Sequence, residues 1–211
     1  YRTLRVWQRN RDVFFKLWRT EVPGFFAEPV LILLAMGVGL GTYVALTDNT
    51  DYLTFIAPGI VAAYAMFSSS SECTYGSFVR MKYQRTFDAI IATPVNMEDV
   101  VAGEIFWGAT RSLLTSIAIL IVIAAFGLVH SPWALVVLPL AVLSGIMFGS
   151  IALFFTSLVP TIYSFNYYFT LFITPMFLFT GTFFPLSILP VPIQVIAYVF
   201  LPLTHVVLIA R

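Results

Sequence analysis

The sequence predicts an all-α polytopic membrane protein, and two observations carry that prediction. Of its 211 residues, 60% are hydrophobic and 10% charged, against about 45–50% and about 25% in ordinary soluble domains. The charges are also segregated. Ten of the eleven Lys and Arg residues, and all ten Asp and Glu residues, fall at or before Arg111, and residues 112–210 contain none. A soluble fold needs solvating groups over its surface, so a run of this length excludes a globular cytosolic enzyme. The apolar content excludes a disordered chain. Hydrocarbon tolerates such a run when helices satisfy the backbone. A net charge of +1 gives no pointer to nucleic acid, and the single cysteine, Cys73, leaves no internal disulfide or cysteine-cluster metal site.

The elements follow in order, within a single transmembrane domain over 1–211. Residues 2–20 read as an amphipathic interfacial helix. Leu4, Trp7, Phe14, Phe15 and Trp18 fall within an arc of roughly 100° at helical spacing, and Arg2, Arg5, Arg9, Lys16 and Arg19 lie opposite. Pro23-Gly24 is expected to break this helix. Apolar stretches then predict five spans, at about 25–46, 52–79, 104–129, 133–158 and 161–180. Short turns at 47–51 and 130–132 separate some of them, and 80–104 is the one sizeable polar loop. After Gly181 the pattern changes: Pro185, Pro190, Pro192 and Pro202 interrupt every apolar run. Residues 183–203 therefore read as re-entrant, the alternative being a proline-kinked span. Six basic residues before the first span and three after the second predict a cytoplasmic N-terminus and a cytoplasmic 80–104 loop.

Signals for catalysis are thin. The two lysines stand outside any Gly-x-x-x-x-Gly-Lys pattern, so there is no P-loop, and His130 and His205 form no His-Glu-x-x-His. Gly37, Gly39 and Gly41 lie inside the first span, and Gly145 and Gly149 inside the fourth; both sets predict close helix packing. Three ionisable residues fall within or beside spans: Glu72, Glu104 and Arg111. Glu104 and Arg111, seven apart, share a helix face, and Glu72 or Glu104 is the expected partner of Arg111. They read either as a structural ion pair near the headgroups or as a gate at the cytoplasmic end of a pathway. In the loop, Thr86-Phe87-Asp88-Ala89-Ile90-Ile91-Ala92 predicts a two-turn helix stopped by Thr93-Pro94, with Asn96 or Thr93 capping the next one. Its Phe87, Ile90 and Ile91 form an apolar patch that asks for a partner. Tyr163, Tyr167 and Tyr168 read either as a substrate path, stacking on sugars or guiding an acyl chain, or as lipid-facing aromatics.

Three segments together resemble the permeases of type-2 ABC exporters. They are Tyr83-Gln84-Arg85-Thr86-Phe87-Asp88-Ala89-Ile90-Ile91-Ala92-Thr93-Pro94 with Asp99-Val100-Val101-Ala102-Gly103-Glu104; Phe179-Thr180-Gly181-Thr182-Phe183-Phe184-Pro185 with Leu189-Pro190; and Gln194 with Leu201-Pro202-Leu203-Thr204-His205. The resemblance covers essentially the whole chain, and its wording is most similar to the branch that exports nodulation lipo-oligosaccharides. It implies six spans, so a sixth is expected beyond Arg211. It also implies a bacterial inner-membrane location, a permease dimer, and a cytosolic ABC ATPase subunit that holds ATP and magnesium, with no cofactor in this chain and no nucleic-acid partner. A coupling helix made by Arg85, Thr86, Phe87, Asp88, Ile90 and Ile91 would contact that subunit. A passive channel or scramblase would leave that helix unexplained, and an intramembrane enzyme would need convergent polar residues that the uncharged half lacks.

Overall fold

The computed structural model describes residues 2–40, 52–129 and 132–211, and the described residues are helical with short connections. Helix α1 is Arg2–Leu33, continued by a π-helical stretch, Leu34–Leu40. Helix α2, Tyr52–Ser71, continues through π-helical turns as one rod, Tyr52–Tyr83. A short α3, Thr86–Ile91, precedes α4, Met97–Ala125, and α5, Val137–Leu158. The rest is made of short pieces: α6, Phe165–Tyr168; α7, Thr174–Phe179; α8, Val191–Phe200; and α9, Pro202–Ala210.

Three helices among the described residues are long and apolar enough to cross a membrane: Tyr52–Tyr83, Met97–Ala125 and Ala134–Leu158. They match the second, third and fourth expected spans. The first expected span is helical as far as Leu40, and its remainder lies outside the described residues, as do the 47–51 turn and His130. The fifth is split into 3₁₀, α and π-helical pieces between Ile162 and Phe179. The proline-rich segment forms α8 and α9, which meet at 91° across Leu201. Pro202 at the start of α9 favours that corner, because the residue before a proline is held out of the helical region; Leu201 has φ −104°, ψ 95°.

The expected break at Pro23-Gly24 does not occur. Pro23 and Pro29 both lie inside α1. A prolyl ring removes one helical donor but does not oblige the chain to turn, and packing beyond it can hold the axis. Here Phe26, Val30 and Leu33 pack against Ile56, Ile60 and Ile119 and carry the helix past both prolines.

Helices α2, α4 and α5 form the centre of the bundle, with α1 laid on α4 and α9 on α2. Small residues let these helices approach. An added Cβ on Gly145 would stand 2.8 Å from the Ala109 backbone, and one on Gly149 would stand 2.8 Å from Ser69 Oγ. Gly145 and Gly149 are thus packing glycines, as their spacing predicts. Among the described residues nothing lies within 4 Å of an added Cβ on Gly39, and Gly41 lies outside the described residues. Hydroxyls tie the seam across helices: Ser69 Oγ donates to the Gly145 carbonyl at 2.6 Å, Thr156 Oγ1 to the Cys73 carbonyl at 2.9 Å, and Ser112 Oγ to the Ala65 carbonyl. Such bonds contribute roughly 0.6 kcal/mol each between membrane helices.

Candidate functional site

The N-terminal half of α1 packs on α4 along a stripe that recurs every three or four residues. Thr3 Oγ1 donates to Asp99 Oδ1 at 2.9 Å, and Val6 fills the space over Gly103, where an added Cβ would stand 2.6 Å from Val6 Cβ. Trp7 Nε1 donates to Thr110 Oγ1 at 2.8 Å, Phe14 lies against Trp107, and Glu21 pairs with Arg111 at 2.8 Å. This stripe takes in Trp7 and Phe14 of the expected apolar arc together with polar residues outside it. Leu4, Phe15 and Trp18 of that arc are exposed, while Asn10 is buried. The sequence assigns that arc to the membrane interface; the stripe on α4 is half polar because its polar residues find partners there.

One end of the bundle is knit together by a charge network. Glu104 on α4 is 1% exposed and takes four donors. Asn10 Nδ2 reaches its Oε1 at 2.9 Å, Ser77 Oγ its Oε2 at 2.7 Å, and Arg80 both Nε, at 3.1 Å, and Nη2. Arg80 turns Nη1 to Glu72 at 2.8 Å. The other Glu72 oxygen lies 3.5 Å from Arg111 Nε. Arg111 also stands over the rings of Phe14 and Phe25 at 5.4 and 4.8 Å, within cation–π range. The chain of charges therefore runs Glu104, Arg80, Glu72, Arg111, Glu21, and joins α1, α2 and α4.

Two local features of the α2 rod make this possible. Residues eight apart on an α-helix diverge by about 80°. The π-helical turns Glu72–Gly76 and Val79–Tyr83 are wider, which brings Glu72 and Arg80 toward one face. Gly76 sits between them; an added Cβ there would stand 2.8 Å from Glu72 Oε1. Of the expected residues, Glu72, Glu104 and Arg111 do share one network, but Arg111 takes Glu21 as its nearest carboxylate, and Glu104 belongs to Arg80. Sequence reading did not single out Asn10, Glu21, Gly76, Ser77 or Arg80 as site residues. The signal available for Arg80 was its basic charge at the edge of an apolar run holding one acid, Glu72.

Helix α3 is bolted to the same end. Phe87 is 4% exposed and clusters with Val6 and Val100, with Met81, Ile90 and Val95 beside it. The expectation that Phe87 waits for a partner is therefore corrected: α3 does have a core, supplied by α1 and α4. Arg9 Nη2 reaches Thr86 Oγ1 at 3.4 Å. Arg85, Asp88 and Ile91 face outward, with Ile91 43% exposed. Arg85 has φ 47°, a left-handed conformation unusual for a side chain with a Cβ. Asn96 caps α4, its N–H donating to Asp99 Oδ2 at 3.4 Å.

The tyrosines separate. Tyr163 and Tyr167 are 79% and 69% exposed, whereas Tyr168 is 4% exposed and packs against Phe155 and Phe172. Tyr168 is thus a packing residue first, reaching only the wall of an apolar groove of about 410 Å³ with Tyr167 and Leu171.

Comparison with known proteins supplies the context for this geometry. A model of the ABC-2 type transporter family matches residues 3–211. The chain belongs to the ABC-2 type transporter family. Nodulation protein J of Sinorhizobium fredii (strain NBRC 101917 / NGR234) is 37% identical over 208 residues, covering 99% of this chain and 79% of that protein. Nodulation protein J of Rhizobium leguminosarum bv. viciae is 39% identical over 202 residues, covering 96% and 78%. The inner membrane transport permease YadH of Escherichia coli (strain K12) is 26% identical over 196 residues, covering 88% and 72%. No solved structure matches the chain. As an ABC-2 permease, this is a multi-pass membrane protein and a transport subunit, and its long apolar helices accord with that.

Proposed function

We propose that this ABC-2 permease is the membrane subunit of an ATP-driven exporter, and that the outward face of α3 docks on a separate cytosolic ABC ATPase. ATP and magnesium are held by that subunit. Its closure pushes on α3, and the permease alternates between inward-open and outward-open states. The N-terminus and α3 lie on the cytoplasmic side of a bacterial inner membrane. Two permeases work together, most simply as two copies of this chain. The cargo is amphipathic: a lipo-oligosaccharide, a polysaccharide or a drug-like compound. Exposed Tyr163 and Tyr167 lie on its path, and α8 with α9 forms a re-entrant cap.

The observation that carries this reading is the construction of α3. A helix of six residues is far too short to be stable alone. Phe87 fixes it to α1 and α4, and it presents Asp88 and Ile91 outward behind a left-handed Arg85. A cation at a helix N-terminus opposes the helix dipole, and a left-handed non-glycine residue costs about 1–2 kcal/mol. Both costs sit at an exposed corner, where the Arg85 carbonyl accepts from the Ala89 N–H at 3.2 Å to start α3. Co-purification with the cognate ATPase tests the reading. Ile91→Asp should leave permease abundance unchanged and abolish retention of the ATPase; full retention by Ile91→Asp and Asp88→Lys would remove α3 from the interface.

A further inference from the structure

At the α3 end, a cleft of about 370 Å³ opens between α1 and the α2 rod, lined by three arginines, Arg9, Arg80 and Arg111, and two carboxylates, Glu21 and Glu72. Arg80 and Arg111 are each paired with carboxylates. Arg9 is not. Its guanidinium donates to Asn10 Oδ1 at 2.9 Å and to Thr86 Oγ1 at 3.4 Å, both neutral, and among the described residues it forms no ion pair. Burial, then the charge of Arg80, push its pKa down, and Glu104 offsets them only in part. Arginine nevertheless stays protonated, so a half-buried cation stands in the cleft with no direct ion-pair partner among the described residues. Beside it lies a second cleft of about 420 Å³, with Phe25, Phe67 and Phe169 on its lining and Ser68, Ser71 and the carboxylate Glu28 giving it a hydrogen-bonding side. The two clefts share Glu72, Tyr75 and Arg111. A cleft carrying three arginines thus adjoins one lined largely by aromatic rings.

We propose that this paired cleft binds a membrane amphiphile with an anionic headgroup, phosphate or carboxylate, whose charged oxygens take the free donors of Arg9 and whose apolar part lies against the aromatic groove. Gln84, also on the lining of the first cleft, is a neutral side chain that does not repel the anion. Charge-assisted, forked hydrogen bonds are the usual way that arginine holds phosphate or carboxylate. The site does not depend on whether the amphiphile is cargo or a resident lipid, and it stands apart from the docking of an ATPase on α3.

Native mass spectrometry of the purified full chain in detergent tests this, with dioleoyl-phosphatidylglycerol, dioleoyl-phosphatidylcholine and inorganic phosphate as probes. The chain should retain phosphatidylglycerol in preference to phosphatidylcholine, by about tenfold or more, as expected for a charge-assisted contact. Millimolar inorganic phosphate should weaken that preference. Arg9→Gln should abolish it, Arg9→Lys should restore part of it, and exposed Arg19→Gln should leave it intact. Gln84→Glu, which alters only the first cleft, should also abolish it, and serves where Arg9→Gln fails to accumulate. Equal retention of the two lipids, a preference that survives both Arg9→Gln and Gln84→Glu, or an equal loss in Arg19→Gln would each overturn the proposal. Phosphate binding without any lipid preference would also overturn it, leaving an anion site with no role for the groove.

Discussion

Removing the Arg80 guanidinium would leave two carboxylates, Glu72 and Glu104, facing one another in a nearly dry seam. Breaking one partner out of such a buried arrangement costs about 3–5 kcal/mol, because a desolvated charge is left uncompensated. Arg80→Gln should therefore lower the thermal midpoint and the yield of folded protein sharply. Glu21→Gln should change little, within about 1 kcal/mol, because Glu21 keeps a 37% exposed side chain and solvent screens its pair with Arg111. A melting series in detergent over both variants separates the two ends of the network; equal losses would contradict the burial difference. Gly103 offers a second residue-scale test. Gly103→Leu must displace Val6, whose Cβ lies 2.6 Å from the position of an added Cβ. Overpacking of this kind costs about 1–3 kcal/mol. It should lift the N-terminal half of α1 from α4 and expose it to protease, while a large substitution at Gly39 should not.

At the scale of elements, α3 behaves as a cantilever with one buried bolt. Phe87→Ala deletes a buried ring, at a cost of about 3–5 kcal/mol, and should loosen α3 from Val6 and Val100. Ile91→Ala should cost well under 1 kcal/mol, since Ile91 is half exposed. Hydrogen exchange along residues 85–95 would report the contrast. The element scale also shows how far sequence reaches. The second, third and fourth spans were legible because each is a long apolar run with at most two charges, and α3 was legible because Thr93-Pro94 ends it and Asn96 starts the next helix. The continuity of α1 through Pro23 was not, because it depends on Phe26, Val30 and Leu33 meeting α2, a contact that no local pattern announces. The burial of Phe87 was hidden for the same reason. Val6 lies 81 positions away, so an apolar patch on an isolated short helix looked exposed. The charge network was half legible. Glu72, Glu104 and Arg111 stood out as charges in apolar surroundings, but Asn10 and Ser77 are ordinary polar residues until Glu104 is set against them.

The whole molecule joins these parts into one mechanical path. A push on α3 reaches α1 through Val6 and Thr86, reaches α4 through Val100, and meets the Glu104–Arg80–Glu72–Arg111 chain that ties both to α2. Under alternating access, the weakest link in that path is the 3.5 Å contact between Glu72 and Arg111. Glu72→Gln should thus leave protein abundance nearly normal while changing the ATP hydrolysed per substrate exported, measured with the ATPase in proteoliposomes; lost abundance would instead assign Glu72 a purely structural role. The central claim, that the outward face of α3 and not its buried face meets an ATPase, is open to a single direct measurement. The one native cysteine, Cys73, is buried, so single cysteines introduced elsewhere can be read cleanly. With a surface-cysteine series on the cognate ATPase, Ile91→Cys is predicted to form a disulfide-linked permease–ATPase species while Phe87→Cys forms none. Crosslinking at Phe87→Cys, or its absence at both Ile91→Cys and Asp88→Cys, would contradict the account.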